Sequence, residues 1–151
     1  MYSGKTNKLI QDASGGGLVI DYDTQSSTGI ILSHSSHQIP CVTTTDLWSL
    51  DVKESSVFIN EAQFFDELVP FVKHMLLIGK TVHVYGLDGD YHQEKFGSIL
   101  DLIPMADTYT KLYATCEHCG KKASFSKRLS MSTDQYRPHD SYIPVCRACL
   151  E

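Results

Sequence analysis

Apolar positions along this chain follow two rhythms. Phe65, Leu68, Val69, Val72, Met75 and Leu76 recur at steps of three and four residues, the spacing of one helical face, and Gly79 stands where such a helix would end. Pro70 must then sit in the first turns or kink the element. Ser56-Val57-Phe58-Ile59 and Thr81 to Leu87 (TVHVYGL) are instead short, mostly apolar runs, as expected of strands buried in a parallel sheet. The first run stops at polar Asn60-Glu61 and the second at Asp88-Gly89-Asp90, a turn signal.

Nearer the amino terminus, Thr6 to Ala13 predicts a short helix. Ser14-Gly15-Gly16-Gly17 ends it, because glycine is costly in a helix interior, and Leu18 to Ile20 resumes as a strand. Asp23 to Ser36 is rich in Ser, Thr and Gly and reads as loop or hairpin, with a strand at Gly29 to Leu32. Strands alternating with helices imply an α/β fold, a parallel sheet with helices on both faces. From about Lys111 the character changes: YATC, SFSKRL and YIPVC are short β-like pieces punctuated by cysteines, too few to hold together without a metal. The expected division is therefore residues 1–113 for the α/β unit and 114–151 for a small zinc-binding one.

Composition narrows the function classes. Thirteen Lys+Arg against eighteen Asp+Glu give a net charge of −5, which argues against a protein whose main task is gripping nucleic-acid phosphates. No run approaches the roughly 20 apolar residues of a membrane-spanning helix, and MYSGKTNKLI lacks the plan of a signal peptide. The sequence thus reads as a soluble, cytoplasmic protein with neither nucleic acid nor membrane as partner.

Three constellations carry chemistry. Cys116/Cys119 and Cys146/Cys149 form two C-x-x-C pairs, and four thiolates so placed can close a tetrahedral zinc site. Free thiols or redox pairs are the alternatives. The 26 residues between Cys119 and Cys146 exceed the usual spacing of roughly 15–20, so a sizeable loop must bulge out there. Ser3-Gly4-Lys5-Thr6 ahead of a helix matches the last half of a phosphate-binding loop, in which Lys5 reaches the β/γ-phosphates and the Thr6 hydroxyl ligates magnesium. An isolated S-G-K-T also occurs as a bland exposed turn. Glu61, at the carboxyl end of a strand, could accept a proton from an attacking hydroxyl or help hold magnesium; by itself it equally suits a solvated strand end. His34, His37, His74, His83, His92, His118 and His139 have no useful ligand spacing.

Together these residues resemble the cellular, bacterial and poxviral type of thymidine kinase. FINEAQFF is similar to the acidic strand end of that family, GKTVHVYGLDGDYHQEKFG to its next strand and nucleoside loop, and ILDLIP to the following helix. KLYATCEHCGKKASFSKRL and YIPVCRACL resemble its zinc-bearing lasso, and MYSGKT the end of its phosphate loop. The resemblance implies a P-loop NTPase-like (RecA-like) fold and transfer of the ATP γ-phosphate to the 5′-hydroxyl of thymidine, and of deoxyuridine. It makes Glu61 the general base and places Ser3, Gly4, Lys5, Thr6 and Asn60 around ATP and magnesium. Phe64, Leu87, Tyr91 and Phe96 would wall the nucleoside pocket, although Leu87 and Phe96 equally suit a core. Met1 and Ser126 would lie near the thymine methyl, Tyr142 would close over deoxyribose and base, and Arg128 would anchor phosphate or lasso. A homotetramer is implied as well.

The departures are specific. Asn60 replaces the aspartate that holds a magnesium-bound water in the family, so metal binding should weaken or the chain be a weakened, binding-only relative. Gln25 follows Asp23-Thr24 where an arginine is usual. The first helix is short, and no strand precedes S-G-K-T. The sequence leaves two readings: residues absent before Met1, near Asp12–Gly17 and within Ser130–Asp140, or a degraded homologue. Unpaired backbone in a sheet lacking its central strand favours the first.

Overall fold

The computed structural model describes residues 2–24, 27–137 and 140–151. Helix α1 (Lys5–Ala13) leads into strand β1 (Leu18–Tyr22), then β2 (Ile30–Leu32), β3 (Gln38–Pro40), β4 (Val42–Thr44) and β5 (Ser56–Ile59). Helix α2 (Leu68–Leu77), strand β6 (Thr81–Val84) and the short strands β7 (Ala114–Thr115), β8 (Lys122–Ala123), β9 (Phe125–Arg128) and β10 (Tyr142–Val145) follow. Four strands form one parallel sheet in the order β4-β1-β5-β6.

The alternation of side chains sets the layers. Val19 and Phe58, register partners on β1 and β5, pack with Leu9 and Ala13 of α1 and with Ile31 of β2. Their neighbours Ile20, Val57 and Ile59 pack with Leu68, Phe71, Val72 and Met75 of α2. The sheet therefore carries a helix against each face, the arrangement the apolar runs predicted.

Several local expectations hold. Helix α1 ends at Ala13 with Ser14 as its C-cap, and the turn that follows is closed by the Gly16 amide donating to Ala13 O. Gly17 has φ +134, and a Cβ there would lie 2.7 Å from the Phe58 ring, so this glycine lets β1 start close against β5. Pro70 occupies the first turn of α2, where its missing N–H costs nothing. Gly79, at φ +80, follows the α2 C-cap. β2 and β3 pair antiparallel as a hairpin.

Others needed correction. Phe65 precedes α2, capping a 3₁₀ turn at Ala62–Phe64, yet is buried in the same core. Leu76, expected on the buried face, is 40% exposed. The predicted Thr81–Leu87 strand ends at Val84: the Tyr85 amide still donates to Ile59 O, but the Leu87 amide turns to a side chain, Gln63 Oε1. ILDLIP is 3₁₀ over Ile99–Met105, with Pro104 inside it. β7–β8 and β9–β10 are antiparallel pairs around a small cluster of Cys116, Ala123 and Val145.

Candidate active site

The carboxyl ends of parallel strands bring different side chains to one rim. Ile20 on β1 is paired with Ile59 on β5, so Asp21 and Asn60 arrive side by side. Asn60 is buried, and its Nδ2 donates to Asp21 Oδ1 at 3.0 Å. Burial pushes the Asp21 carboxyl up, against the Asn60 hydrogen bond and the Tyr22 amide, which favour its ionised form.

Glu61 follows in the left-handed region (φ 49, ψ 40), strain of about 1–2 kcal/mol for a side chain with a Cβ. Gln63 secures it. Nearly fully buried, Gln63 donates from Nε2 to Glu61 Oε2 at 2.6 Å while its Oε1 accepts the Leu87 amide. Gly86 and Gly97 allow this close fit: a Cβ on Gly86 would sit 2.5 Å from Gln63 Oε1, and one on Gly97 2.1 Å from Gln63 O.

Across from Glu61 stands the start of α1. Gly4 caps the helix with φ 83, and Lys5 Nζ donates to Ser3 Oγ at 3.4 Å. Burial pulls the Lys5 ammonium down, and the nearby Glu61 and Asp88 carboxylates oppose that shift. Ser3, Gly4, Lys5, Thr6, Asp21, Glu61, Phe64 and Leu87 all line one cavity of about 580 Å³, together with Tyr22, Gln63 and Tyr136. The half-motif and the strand-end carboxylate therefore meet.

Other predicted residues stand elsewhere. Asn60 lies behind the cavity, its amide spent on Asp21. Phe96 supports the wall from behind, edge-on to Phe64 at 5.5 Å. Tyr91, Arg128 and Tyr142 form their own cluster. The buried Arg128 guanidinium lies 4.1 Å from the Tyr91 ring centroid, donates from Nε to Tyr142 Oη at 3.0 Å, and pairs with Asp140 at 3.1 Å. Tyr142 thus faces Arg128 rather than lining the cavity. Ser126, opposite Pro144 on the β9–β10 pair, does not line it either. Met1, Gln25 and His139 fall outside the described residues.

Asp21, Gln63 and Tyr136 escaped the sequence reading. Asp21 ends an apolar run just as Asn60-Glu61 does, and Tyr136 is an aromatic in a polar loop like Tyr91 and Tyr142, so the same signals pointed to both. Nothing local marked Gln63.

The four paired cysteines converge, with all Sγ atoms within 4.8 Å of one another and Cys119 3.6 Å from Cys146. Thiolates at ~2.3 Å from one ion in a tetrahedron stand about 3.8 Å apart, so the set fits zinc and leaves no open position. Burial opposes ionisation of Cys116, yet the backbone amides of Cys146, Cys119 and His118 bring its thiol down to about 6, while hydrogen bonding with Cys119 and Cys146 pushes Cys149 up to about 12.

These features define an α/β protein with a polar and aromatic cavity at the carboxyl rim of its sheet and a four-cysteine cluster beyond it. The chain belongs to the thymidine kinase family, whose sequence profile matches residues 1–150. It is 38% identical over 167 residues to a thymidine kinase of Oryza sativa subsp. japonica, covering 97% of this chain and 62% of that relative. It is 35% identical over 162 residues to the cytosolic thymidine kinase of Gallus gallus (99% of this chain, 72% of the relative). The corresponding values for the thymidine kinase of Raccoon poxvirus are 38% over 162 residues, 99% and 91%.

Proposed function

We propose that this protein phosphorylates thymidine, and deoxyuridine, at the 5′-hydroxyl with magnesium ATP. Family membership supports the reaction class, and one observation carries the assignment of residues: Glu61 and Lys5 line the same cavity, with Glu61 the foremost charge acting on Lys5. Glu61 takes the proton of the attacking hydroxyl, held in place by Gln63. Lys5 and the first amides of α1 meet the phosphates, which favours the charge spread over the moving phosphoryl group. Thr6 and Asp21 offer the hydroxyl and carboxylate oxygens that suit magnesium, so they would hold the ion; it neutralises phosphate charge when bound. Asp21 thereby supplies the anion that Asn60 lacks.

The four cysteines would hold a structural zinc in a unit from about residue 114, with a P-loop-type nucleotide unit before it. Arg128 anchors the loop between the cysteine pairs. A homotetramer in the cytoplasm completes the reading; no helix among the described residues is long and apolar enough to cross a membrane.

Glu61→Gln tests the mechanism. Losing a general base costs about 10²–10⁴-fold in kcat. Steady-state assay should show that fall with thymidine affinity little changed, and turnover like the wild type would remove Glu61 from the chemistry.

A further inference from the structure

Tyr85 is bonded to both halves of the reacting site. It follows directly on β6, and its amide donates to Ile59 O at 2.9 Å while its carbonyl accepts the Ala62 amide at 3.0 Å, so its backbone brackets Asn60 and Glu61. Its side chain reaches α1, where Tyr85 Oη donates to Asp12 Oδ2 at 2.6 Å. Lys5, at the opposite end of that helix, lines the cavity with Glu61. One residue thus joins the helix that carries Lys5 to the turn that carries Glu61.

Asp12 stands in the last turn of α1, where the free carbonyls of the helix end disfavour a carboxylate. Its ion pair with Lys8 has the cation four residues before the acid, the less favourable order on a helix. Helix stability does not account for an acid at this position; a tertiary partner does. Burial opposes ionisation of Asp12, but hydrogen bonds from Lys8 and Tyr85 outweigh it and hold the carboxyl below its ordinary range. Burial, and then the bond to Asp12, push the Tyr85 phenol up, so it stays protonated and donates.

Packing of Leu9 and Ala13 against Val19 and Phe58 sets how deep α1 lies, but apolar attraction has no direction of its own and fixes slide and rotation poorly. Two hydrogen bonds toward opposite ends supply that direction: Ser35 Oγ donates to Asn7 Oδ1 at 2.7 Å, and Tyr85 to Asp12. A helix of nine residues is about 14 Å long and moves as a rod, so its far anchor also steers its first turn.

We propose that Tyr85 is a positioning residue for phosphoryl transfer: through Asp12 it seats α1 against the turn at 60–63 and so sets the separation of Lys5 from Glu61. The assignment rests on the kinase reading of the cavity. Under that reading the donor's phosphates travel with α1 and the acceptor's hydroxyl with Glu61. Loosening the seat leaves each set of contacts intact and shifts one against the other. Such a fault is felt in kcat, because transfer depends on the relative placement of the reactants, where a displacement of ~1 Å can cost about 10²-fold.

Steady-state kinetics of the full chain with thymidine and magnesium ATP test this. Tyr85→Phe and Asp12→Ala each remove the hydrogen bond and should lower kcat about tenfold, with both KM values within about twofold of wild type. Asp12→Asn keeps an acceptor for the Tyr85 hydroxyl and should hold kcat within about threefold. Combining Tyr85→Phe with Asp12→Ala should cost no more than either alone, as for two groups acting through one bond. Asp12 is partly exposed, so Asp12→Ala carries the comparison by itself if Tyr85→Phe does not fold. A lower melting temperature with kcat unchanged reduces the pair to a structural tie and overturns the proposal. So does a loss confined to the KM values, or an Asp12→Asn variant as slow as Asp12→Ala. A wild type inactive on thymidine would instead bring down the kinase reading, and the positioning role with it.

Discussion

Asp21 and Asn60 show why one neutral residue at the sheet's rim is compatible with an anionic site. Two ionised carboxylates 3.0 Å apart in a half-buried place would repel strongly. An amide beside a carboxylate removes that conflict and adds a hydrogen bond, and the site keeps one negative charge, moved from β5 to β1. The remaining cost falls on Asp21, whose folded-state pKa lies above its unfolded value. For such an acid the folded state binds the proton more tightly, so its contribution is favourable at low pH and is lost as pH rises through the window from about 4 to the raised folded value. Asp21→Asn should therefore raise Tm at pH 7, and the gain should shrink toward pH 4 in thermal melts. A gain of equal size at both pH values would show that ionisation of Asp21 is not its source. The same variant should weaken magnesium-dependent ATP binding, the exchange of stability for function common at such sites.

At the scale of elements, what could be read from sequence was what is locally determined. Gly79 was legible as a helix stop because a positive φ after a helix is a property of the chain at that point. Gly97 was not, because its requirement comes from Gln63, distant in sequence and brought against it only by the fold. β4 was hidden for a related reason: Val42, Thr43 and Thr44 form an edge strand only partly buried, so they show no apolar run. Comparing the two glycines makes the difference measurable. Gly79→Ala meets open space and should cost about 1 kcal/mol, the usual penalty for a left-handed non-glycine. Gly97→Ala adds a backbone clash at 2.1 Å to the same penalty and should cost about 3 kcal/mol or more in denaturant titration, displacing Gln63 and with it Glu61. Equal losses would mean that the 86–97 loop yields without disturbing the strand end.

Across the whole molecule, the cavity depends on residues from both ends of the chain. Lys5 and Glu61 could be found from short motifs, since each sits at the junction of a helix or strand with polar residues. Tyr136 carried the same signal as Tyr91 and Tyr142, an aromatic in a polar loop, but which of the three lines the cavity depends on the path of that loop, tied by Tyr91 to Ser132 and by Gln135 to Asp90, pairs far apart in sequence. That loop in turn starts and ends at the cysteine pairs. Among the described residues the cluster beneath it buries Cys116, Ala123 and Val145, with partly buried residues such as Phe125 and Ile143 against them, too little apolar surface to fold a segment of this size without a cross-link. Metal binding and folding of the tail should therefore be one event. The purified protein should carry one zinc per chain, and a strong chelator should release it with loss of β-structure confined to residues beyond about 114, read by hydrogen exchange. Thymidine affinity should fall by more than about tenfold with it, since Tyr136 and its fastenings are lost, whereas amides of β1, β5 and α2 should stay protected and ATP should still bind. Complete zinc loss with thymidine affinity intact would separate the tail from the site. Collapse of the whole sheet would instead make the four cysteines a support for the entire chain.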